Sequence, residues 1–164
     1  AIGKIKLTVP EDPRIREYLG LKAKTGQFGI TQIRQGFLII QIFNMYCPHC
    51  QHYAPKVNDF YKLIQNNPRL KERVMLIGIG VGNSPFEVDI YRKKFSVGFP
   101  LFDDKSYAVY NTLQDVLTPH FIGLTLDGKG GYRMVYSASG GFDDPAAFLN
   151  DMVRLSGLFP GGVR

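Results

Sequence analysis

Two runs of apolar residues, both of strand length, stand out in the hydrophobic pattern of the chain. Residues 37–43 are apolar apart from Gln41, and residues 74–79 form the second run, which two nearby glycines close. Near-continuous apolar runs rich in β-branched residues are typical of strands that are covered on both faces of a sheet. The pattern therefore predicts two central, buried strands.

Helical periodicity follows each of these strands. The apolar positions that recur at helical spacing after the first strand are Tyr53, Val57, Phe60, Tyr61 and Ile64. They predict a helix that ends at residues 66–68, where Pro68 stops it. After the second strand, Ser84 is a natural N-cap and Pro85 suits the first helical position, so a helix is predicted from there to Phe95.

The last part of the chain predicts shorter elements. Residues 99–102 are predicted to form a short extended segment, and residues 104–110 a brief helix. Residues 121–126 and 132–136 predict two strands that are joined by a glycine-rich hairpin loop. A final helix begins at residues 143–145. Its predicted buried stripe consists of Ala147, Phe148, Met152 and Leu155.

This order of elements predicts an α/β fold. Parallel βαβ units come first and an antiparallel pair closes a central mixed sheet, with helices on both faces. A chain of 164 residues buries a core without disulfide staples, so we expect a single domain over residues 1–164. Prolines and a glycine interrupt residues 1–27, which are predicted to form an irregular N-terminal extension with one or two helical turns at residues 15–21.

Charge and hydropathy exclude two classes of partner. The formal net charge is +6, but only Arg92, Lys93 and Lys94 form a basic run. No nucleic-acid-binding module accompanies that run, so we expect no nucleic acid partner. No stretch approaches the roughly 20 apolar residues that span a bilayer, so we expect no stable membrane insertion. No signal peptide is visible in this chain.

The chain contains only two cysteines, and they are three positions apart. A structural disulfide framework needs more cysteines, so Cys47 and Cys50 indicate a redox pair or half of a metal site. If a helix begins at Cys47, its unpaired N–H groups and positive end stabilise a thiolate there and lower its pKa. We therefore expect Cys47 to be the nucleophile and the more buried Cys50 to resolve the mixed disulfide.

The two residues between the cysteines have roles of their own in this hypothesis. Pro48 suits the first position of a helix, where its missing N–H removes one donor that would need a partner. His49, when protonated, places a positive charge beside the Cys47 thiolate. That charge stabilises the reduced form and makes the disulfide a stronger oxidant, so we expect His49 to tune the redox potential.

The residues around the cysteines resemble the active site of the thioredoxin superfamily. The Cys-Pro-His-Cys tetrad matches that of DsbA oxidases, whereas residues 95–104 and 118–129 are similar to the TlpA/ResA branch of extracytoplasmic thioredoxin-like proteins. The resemblance covers residues 28–155 and implies a thioredoxin-like three-layer sandwich. It also implies that Pro119 is a cis-proline facing the cysteines, and that Thr118 offers backbone groups to a substrate strand.

Three positions depart from the family pattern. Gln41 stands where thioredoxins carry a buried acid, and Tyr53 where ResA-like proteins carry a glutamate. No carboxylate is therefore evident to move the proton of Cys50. Tyr46 replaces the tryptophan that usually precedes the first cysteine, and it keeps an aromatic, substrate-binding surface there. These changes leave open whether the protein reduces, oxidises or isomerises its substrates.

Histidines near the cysteines raise an alternative function. Cys47, His49, Cys50 and His52 are four metal-ligating residues within six positions, so a copper-binding metallochaperone is the alternative. Side chains on one helix point in different directions, however, which disfavours convergence of all four. His120 follows Pro119 and either reaches Cys47 or is a hydrogen-bonded strand residue.

The sequence therefore predicts a protein-disulfide oxidoreductase that needs no organic cofactor and no metal. Its partners are expected to be protein thiols and disulfides, together with an upstream redox protein that exchanges electrons with it. Disulfide pairs of this kind persist in oxidising compartments. The family resemblance also implies such a compartment, so we expect a periplasmic or otherwise extracytoplasmic location.

Overall fold

A computed structural model describes residues 1–114 and 116–162 of the chain. In chain order its strands and helices are β1 (Lys6–Thr8), α1 (Pro13–Leu19), β2 (Gln27–Gly29), β3 (Gly36–Phe43), α2 (Pro48–Gln65), α3 (Pro68–Arg73), β4 (Val74–Val81), α4 (Pro85–Lys94), β5 (Leu101–Asp104), α5 (Ala108–Leu113), β6 (His120–Leu126), β7 (Tyr132–Ser139) and α6 (Pro145–Ser156). Within the described ranges, no helix has the length and apolarity needed to cross a membrane.

The central sheet has five strands in the order β5-β4-β3-β6-β7. β3 pairs with β4 in parallel and with β6 antiparallel, so that Ile40 stands between Ile77 and Ile122. β4 and β5 are also parallel, whereas β6 and β7 form the closing hairpin. Every residue of β3 and β4 is buried, which confirms the prediction of two central strands in a mixed sheet.

Both faces of the sheet are covered, which confirms the expected three-layer arrangement. Side chains of β3 alternate between the faces. Ile39 packs in a cluster with residues of α2, α4 and α6, and Ile40 packs in a second cluster with residues of α1, α5 and the N-terminal segment. Cys50 belongs to the first cluster, so the thiol pair lies on the α2 face of the sheet.

The N-terminal region is more regular than the sequence predicts. Residues 1–27, which were expected to be irregular apart from one or two helical turns, contain β1 as well as α1, and β1 pairs with β2 in a separate antiparallel sheet. Tyr18 of α1 accounts for part of this order, because its hydroxyl accepts the backbone N–H of Leu76 at 2.8 Å. β5 pairs with β4 only from Gly78 onward, so Tyr18 occupies the stretch of the β4 edge that β5 leaves open.

A short helix, α3, follows α2 at the point where the sequence predicts only a stop. Asn67 is its N-cap, because the side-chain oxygen accepts the N–H groups of Arg69 and Leu70 at 3.0 and 3.2 Å. Pro68 occupies the first turn, where no backbone N–H is needed. The proline that prevents α2 from continuing therefore also begins the next helix.

The brief helix α5 begins four residues later than predicted, at Ala108. The reason is the position of Asp104, whose buried carboxylate lies ahead of the helix. Its two oxygens accept the N–H groups of Val109 and Tyr110 at 2.8 and 3.1 Å. Asp104 thus caps the helix from outside instead of forming its first turn.

The buried face of α6 is rotated from the predicted stripe. Met152 is buried and Phe148 half-buried as predicted, but Ala147 and Leu155 are exposed. The residues of α6 that are buried are Leu149, Met152, Val153 and Ser156. The contact face is therefore displaced by about one residue, or about 100° around the helix axis.

Candidate functional site

The cysteine pair lies where β3 ends and α2 begins. Cys47 is the N-cap of α2, and its Sγ accepts the backbone N–H of Cys50 at 3.2 Å. Pro48 takes the first helical position, as predicted. Cys47 is partly accessible and Cys50 is fully buried, and both are free thiols. One sulfur is thus open to a partner while the other is held one turn deeper.

The environment of Cys47 favours its thiolate. Partial burial by itself would raise the pKa of this thiol. Hydrogen bonds oppose that effect, and they come from the Cys50 thiol, the Thr118 side chain and the backbone N–H groups of Cys50 and His49. The pKa of Cys47 is therefore lowered from its ordinary value of 9.0. Backbone donors at a helix N-terminus act in the same direction as the helix dipole.

The environment of Cys50 favours its thiol. Burial raises the pKa of Cys50, and the hydrogen bond and negative charge of Cys47 raise it further, to about 12. The backbone N–H of Asn44 and the Thr118 side chain act in the opposite direction but do not offset burial. The environment therefore favours the thiolate form of Cys47 and the thiol form of Cys50.

The segment before β6 lies against the reactive sulfur. The peptide bond between Thr118 and Pro119 is cis, and the Thr118 carbonyl oxygen accepts the Cys47 thiol at 3.5 Å. The Pro119 carbonyl oxygen accepts the backbone N–H of Gly140 at 2.8 Å, which ties this segment to the end of β7. The structure thus brings Thr118 and Pro119 together with Cys47.

Two asparagines hold the loop that carries Cys47. The Asn44 side chain donates to the Val81 carbonyl at 2.8 Å and accepts the Tyr46 N–H at 2.9 Å. Asn83, fully buried in the loop after β4, accepts the Met45 N–H at 2.9 Å. Sequence reasoning missed Asn83. The available signal was its place after a buried strand, at the same sheet edge as the cysteine loop.

Tyr46 is held by a residue that the sequence did not single out. Its hydroxyl donates to the carboxylate of Glu87, and the other oxygen of that carboxylate accepts the Ser84 N–H at 2.9 Å. The Ser84 N–H and the Tyr46 hydroxyl together hold the pKa of Glu87 below its usual value. A capping box of α4 thereby also fixes the ring beside Cys47.

The three histidines of the chain lie at the surface of α2 or in β6. His49 and His52 are exposed on α2. His120 is a hydrogen-bonded strand residue, because its ring nitrogens contact the hydroxyls of Ser139 at 2.8 Å and Ser137 at 2.9 Å. Strand alternation places its side chain on the face of Ile122, opposite the α2 face. Burial lowers the pKa of His120.

No metal centre is assembled by the described residues. Among residues 1–114 and 116–162, no three His, Cys, Asp or Glu side chains are placed to hold one ion together. The copper-binding alternative would therefore have Cys47 and Cys50 as its ligands, without a third described His, Cys, Asp or Glu beside them.

Two buried polar groups lie on the same face of the sheet as Cys50. Gln41 is fully buried, and neither of its amide atoms has a hydrogen-bond partner among the described residues. Tyr91 of α4 was missed by sequence reasoning; it stacks on Phe43, and its hydroxyl donates to the Cys50 carbonyl at 3.5 Å. Burial and the nearby thiols raise the pKa of Tyr91.

A large cavity lies away from the thiols. Its volume is about 930 Å3, and it is bounded by the N-terminal segment, α4 and the beginning of β5. Tyr18, Tyr61 and Arg92 are among its lining residues, whereas no residue of the segments 44–50 and 117–119 lines it. The cavity therefore does not include the reactive sulfur, and Cys47 itself is partly exposed.

The fold described above is similar to that of several solved structures. No family model matches the sequence, and no curated protein does so either. A secreted disulfide oxidoreductase of Mycobacterium tuberculosis, described as homologous to E. coli DsbE, matches with a TM-score of 0.60 and 13% identity over 96% of this chain and 98% of that chain. StoA of Bacillus subtilis matches with a TM-score of 0.59 and 16% identity over 77% and 88% of the two chains.

A third structure agrees with these two. A thiol-disulfide isomerase of Corynebacterium glutamicum matches with a TM-score of 0.56 and 21% identity, over 76% of this chain and 81% of that chain. At such identities the likeness shows the fold, so the chain has a thioredoxin-like fold. This confirms the fold class that the sequence predicted.

Proposed function

We propose that the protein exchanges disulfides with protein substrates through Cys47 and Cys50. The observation that carries the proposal is the geometry of the pair: Cys47 is a partly accessible N-cap whose Sγ accepts the Cys50 N–H at 3.2 Å, and Cys50 is fully buried. The pKa values of the two thiols, displaced in opposite directions, support it. The accessible sulfur has a lowered pKa, and the buried one has a pKa raised to about 12. A lowered pKa keeps the nucleophile in its thiolate form. A raised pKa keeps the resolving thiol protonated until the mixed disulfide forms.

The proposed reaction has two steps. The Cys47 thiolate attacks one sulfur of a substrate disulfide, so that a Cys47–substrate disulfide forms and the other substrate sulfur leaves as a thiolate. Cys50 then loses its proton and attacks the Cys47 sulfur, which releases the second substrate thiolate. The substrate gains two electrons, and the protein keeps a Cys47–Cys50 disulfide. The reverse sequence oxidises a substrate dithiol. No organic cofactor or metal takes part in either direction.

Several neighbours of the sulfurs have supporting roles in this proposal. Pro48 begins α2 without adding a further N–H group. Thr118 and Pro119 lie against Cys47 and position the substrate chain beside it. His49 tunes the potential when its imidazole is protonated, and Tyr46 contacts the substrate next to the reacting sulfur.

Partners and location follow from the same chemistry. Substrates are proteins with thiols or disulfides, and a second redox protein restores the starting state of the cysteine pair. We place the protein outside the cytoplasm, because a persistent disulfide suits an oxidising compartment and because one structural neighbour is a secreted disulfide oxidoreductase.

Trapping tests the roles of the two cysteines. Cys50→Ser is expected to accumulate a mixed disulfide with a protein substrate, and Cys47→Ser is expected to form none. The reverse outcome would exchange the two roles, and no adduct with either variant would contradict the proposed exchange. Equilibration of the unmodified pair with glutathione then gives the potential, and with it the direction of electron flow.

A further inference from the structure

The large cavity beside α4 includes an unpaired edge of the central sheet. β5 is the outermost strand there, and β4 is its partner on the other side. The Pro100 carbonyl oxygen accepts the N–H of Gly78 in β4 at 2.9 Å, so the backbone of Pro100 is turned toward β4. Successive residues of a strand direct their backbone groups to opposite sides. Leu101 and Asp103 therefore direct their N–H and C=O groups away from β4, where no strand of the described residues pairs with them.

We propose that this cavity takes an extended polypeptide segment of another protein, which pairs with β5 as an additional strand and alternates apolar with basic side chains. An open sheet edge supplies main-chain hydrogen bonds to such a segment, and the surfaces beside the edge select its alternate side chains. The proposal does not depend on the thiol chemistry, because no residue of the segments 44–50 and 117–119 lines the cavity.

The cavity has room for an added strand. Its volume of about 930 Å3 is at the upper end of the roughly 300–1,000 Å3 that ligand sites occupy. Residues 97–103 form one part of its wall, and residues 8–12, which do not pair with β5, form another. A segment of four residues, as long as β5 itself, needs about 13 Å along the strand direction.

The α1 side of the cavity is apolar. Phe102 of β5 belongs to the second cluster of buried residues, and Ile15 and Tyr18 of α1 pack against that cluster. All three line the cavity, and Ile15 and Tyr18 are only half-buried. Every second side chain of an added strand points to this side, where an apolar side chain gains from burial.

The opposite side of the cavity favours a basic side chain. Asp103, which strand alternation places on the other face from Phe102, is half-buried and has no ion-pair partner among the described residues. Nearby, Asp89 already binds Arg92 at 2.7 Å and Lys93 at 2.9 Å. The carboxylate of Asp103 thus remains available to a Lys or Arg of the partner, whereas an acidic side chain would be repelled there.

The N-terminal wall of the cavity is fixed before a partner arrives. The Arg16 guanidinium donates to the carbonyl oxygens of Pro10 and Glu11 at 2.8 and 2.6 Å. Asp12, the N-cap of α1, accepts the backbone N–H of Arg14 at 2.9 Å. Little backbone freedom is therefore lost when a segment enters, which leaves more of the contact energy for affinity.

A six-residue peptide of alternating valine and lysine tests the proposal on the reduced, unmodified protein. Fluorescence anisotropy of the labelled peptide measures its affinity, and amide hydrogen exchange followed by NMR locates the contact. At a peptide concentration ten times the dissociation constant, the N–H groups of Leu101 and Asp103 are expected to exchange about tenfold more slowly. A peptide with the same side chains and methylated backbone nitrogens cannot donate to β5 and is expected to bind about tenfold more weakly.

Charge is tested on both partners. A peptide of alternating valine and glutamate is expected to bind about tenfold more weakly than the valine/lysine peptide. Asp103→Lys should weaken the valine/lysine peptide about fivefold, because a repulsion replaces an ion pair. Glu72→Lys is the matched control, since Glu72 is exposed on α3 and does not line the cavity, and it should keep the affinity.

Several results would overturn the added strand. They are unchanged exchange at Leu101 and Asp103, equal affinity of the methylated or the glutamate peptide, and an equal effect of the two charge variants. Protection of the same amides when the protein alone is concentrated would assign the edge to a second copy of the chain instead. The exchange measurement uses the unmodified protein, so it decides the matter if a variant fails to fold.

A thiol variant separates this proposal from the proposed function. Cys47→Ser is expected to bind the valine/lysine peptide with unchanged affinity, because the cavity does not include Cys47. Loss of peptide binding in that variant would contradict a separate site. A protein that binds the peptide but exchanges no disulfides would contradict the proposed function and support the added strand.

Discussion

The side-chain oxygen of Asn83 accepts the backbone N–H of Met45 at 2.9 Å, although the two residues are 38 positions apart. Asn83 is buried in the loop after β4, and Met45 lies two residues before the reactive cysteine. The loop that presents Cys47 is thus fixed by a neighbouring strand end as well as by its own helix.

Removal of the Asn83 side chain is expected to weaken both the fold and the site. Asn83→Ala leaves the partly buried N–H of Met45 without an acceptor, which should lower the free energy of unfolding by about 1–3 kcal/mol. Urea denaturation of the reduced protein measures this change. Asn111→Ala, on the exposed side of α5, is the control and is expected to change stability by less than about 0.5 kcal/mol. An equal effect of both variants would show that Asn83 does not hold the loop.

His49 is expected to have a small effect on the potential. Its side chain is exposed, so its attraction to the Cys47 thiolate is that of a surface ion pair, about 0.5–1 kcal/mol. His49→Ala should therefore lower the reduction potential by about 10–20 mV, because the attraction between the imidazolium and the thiolate is lost. Equilibration with glutathione measures the change. His52→Ala should leave the potential unchanged, and a matching shift in that variant would contradict a local effect of His49.

Replacement of Gln41 by leucine is expected to stabilise the protein. Both amide atoms of Gln41 are buried without a partner, and an apolar side chain of similar size removes that penalty. Gln41→Leu should raise the free energy of unfolding by about 1–3 kcal/mol in urea denaturation. Gln35→Leu, at an exposed position, should change it by less than about 0.5 kcal/mol. A clear loss of stability in Gln41→Leu would mean that the amide has a partner, such as an internal water molecule.

Local sequence patterns predicted the framework of the site. The apolar run over residues 37–43 and the proline after Cys47 were enough to place the first cysteine between a buried strand and a helix. These signals are visible because a strand, a cap and a first helical turn each involve residues that are close in sequence.

The contacts that support the site were not predictable in the same way. Asn83, Glu87 and Tyr91 reach the cysteine segment across 38 to 41 positions of sequence. Nothing in the sequence singled out Glu87, and Tyr91 was only one of the aromatic residues of a predicted helix. Their contacts depend on where α4 packs, which a single sequence does not state. The N-terminal strand β1 was missed for a related reason, since its order depends on pairing with β2.

Alkylation of the two cysteines across a pH series, followed separately for each residue by mass spectrometry, tests the central claim most directly. The reduced protein is expected to react at Cys47 with a midpoint below 9, whereas Cys50 should stay unreactive until the pH approaches about 12 or the protein unfolds. Cys50→Ser should keep a low midpoint at Cys47, because the Thr118 side chain and the backbone donors at the helix start remain. Equal midpoints near 9 for both thiols in the folded protein would contradict the account.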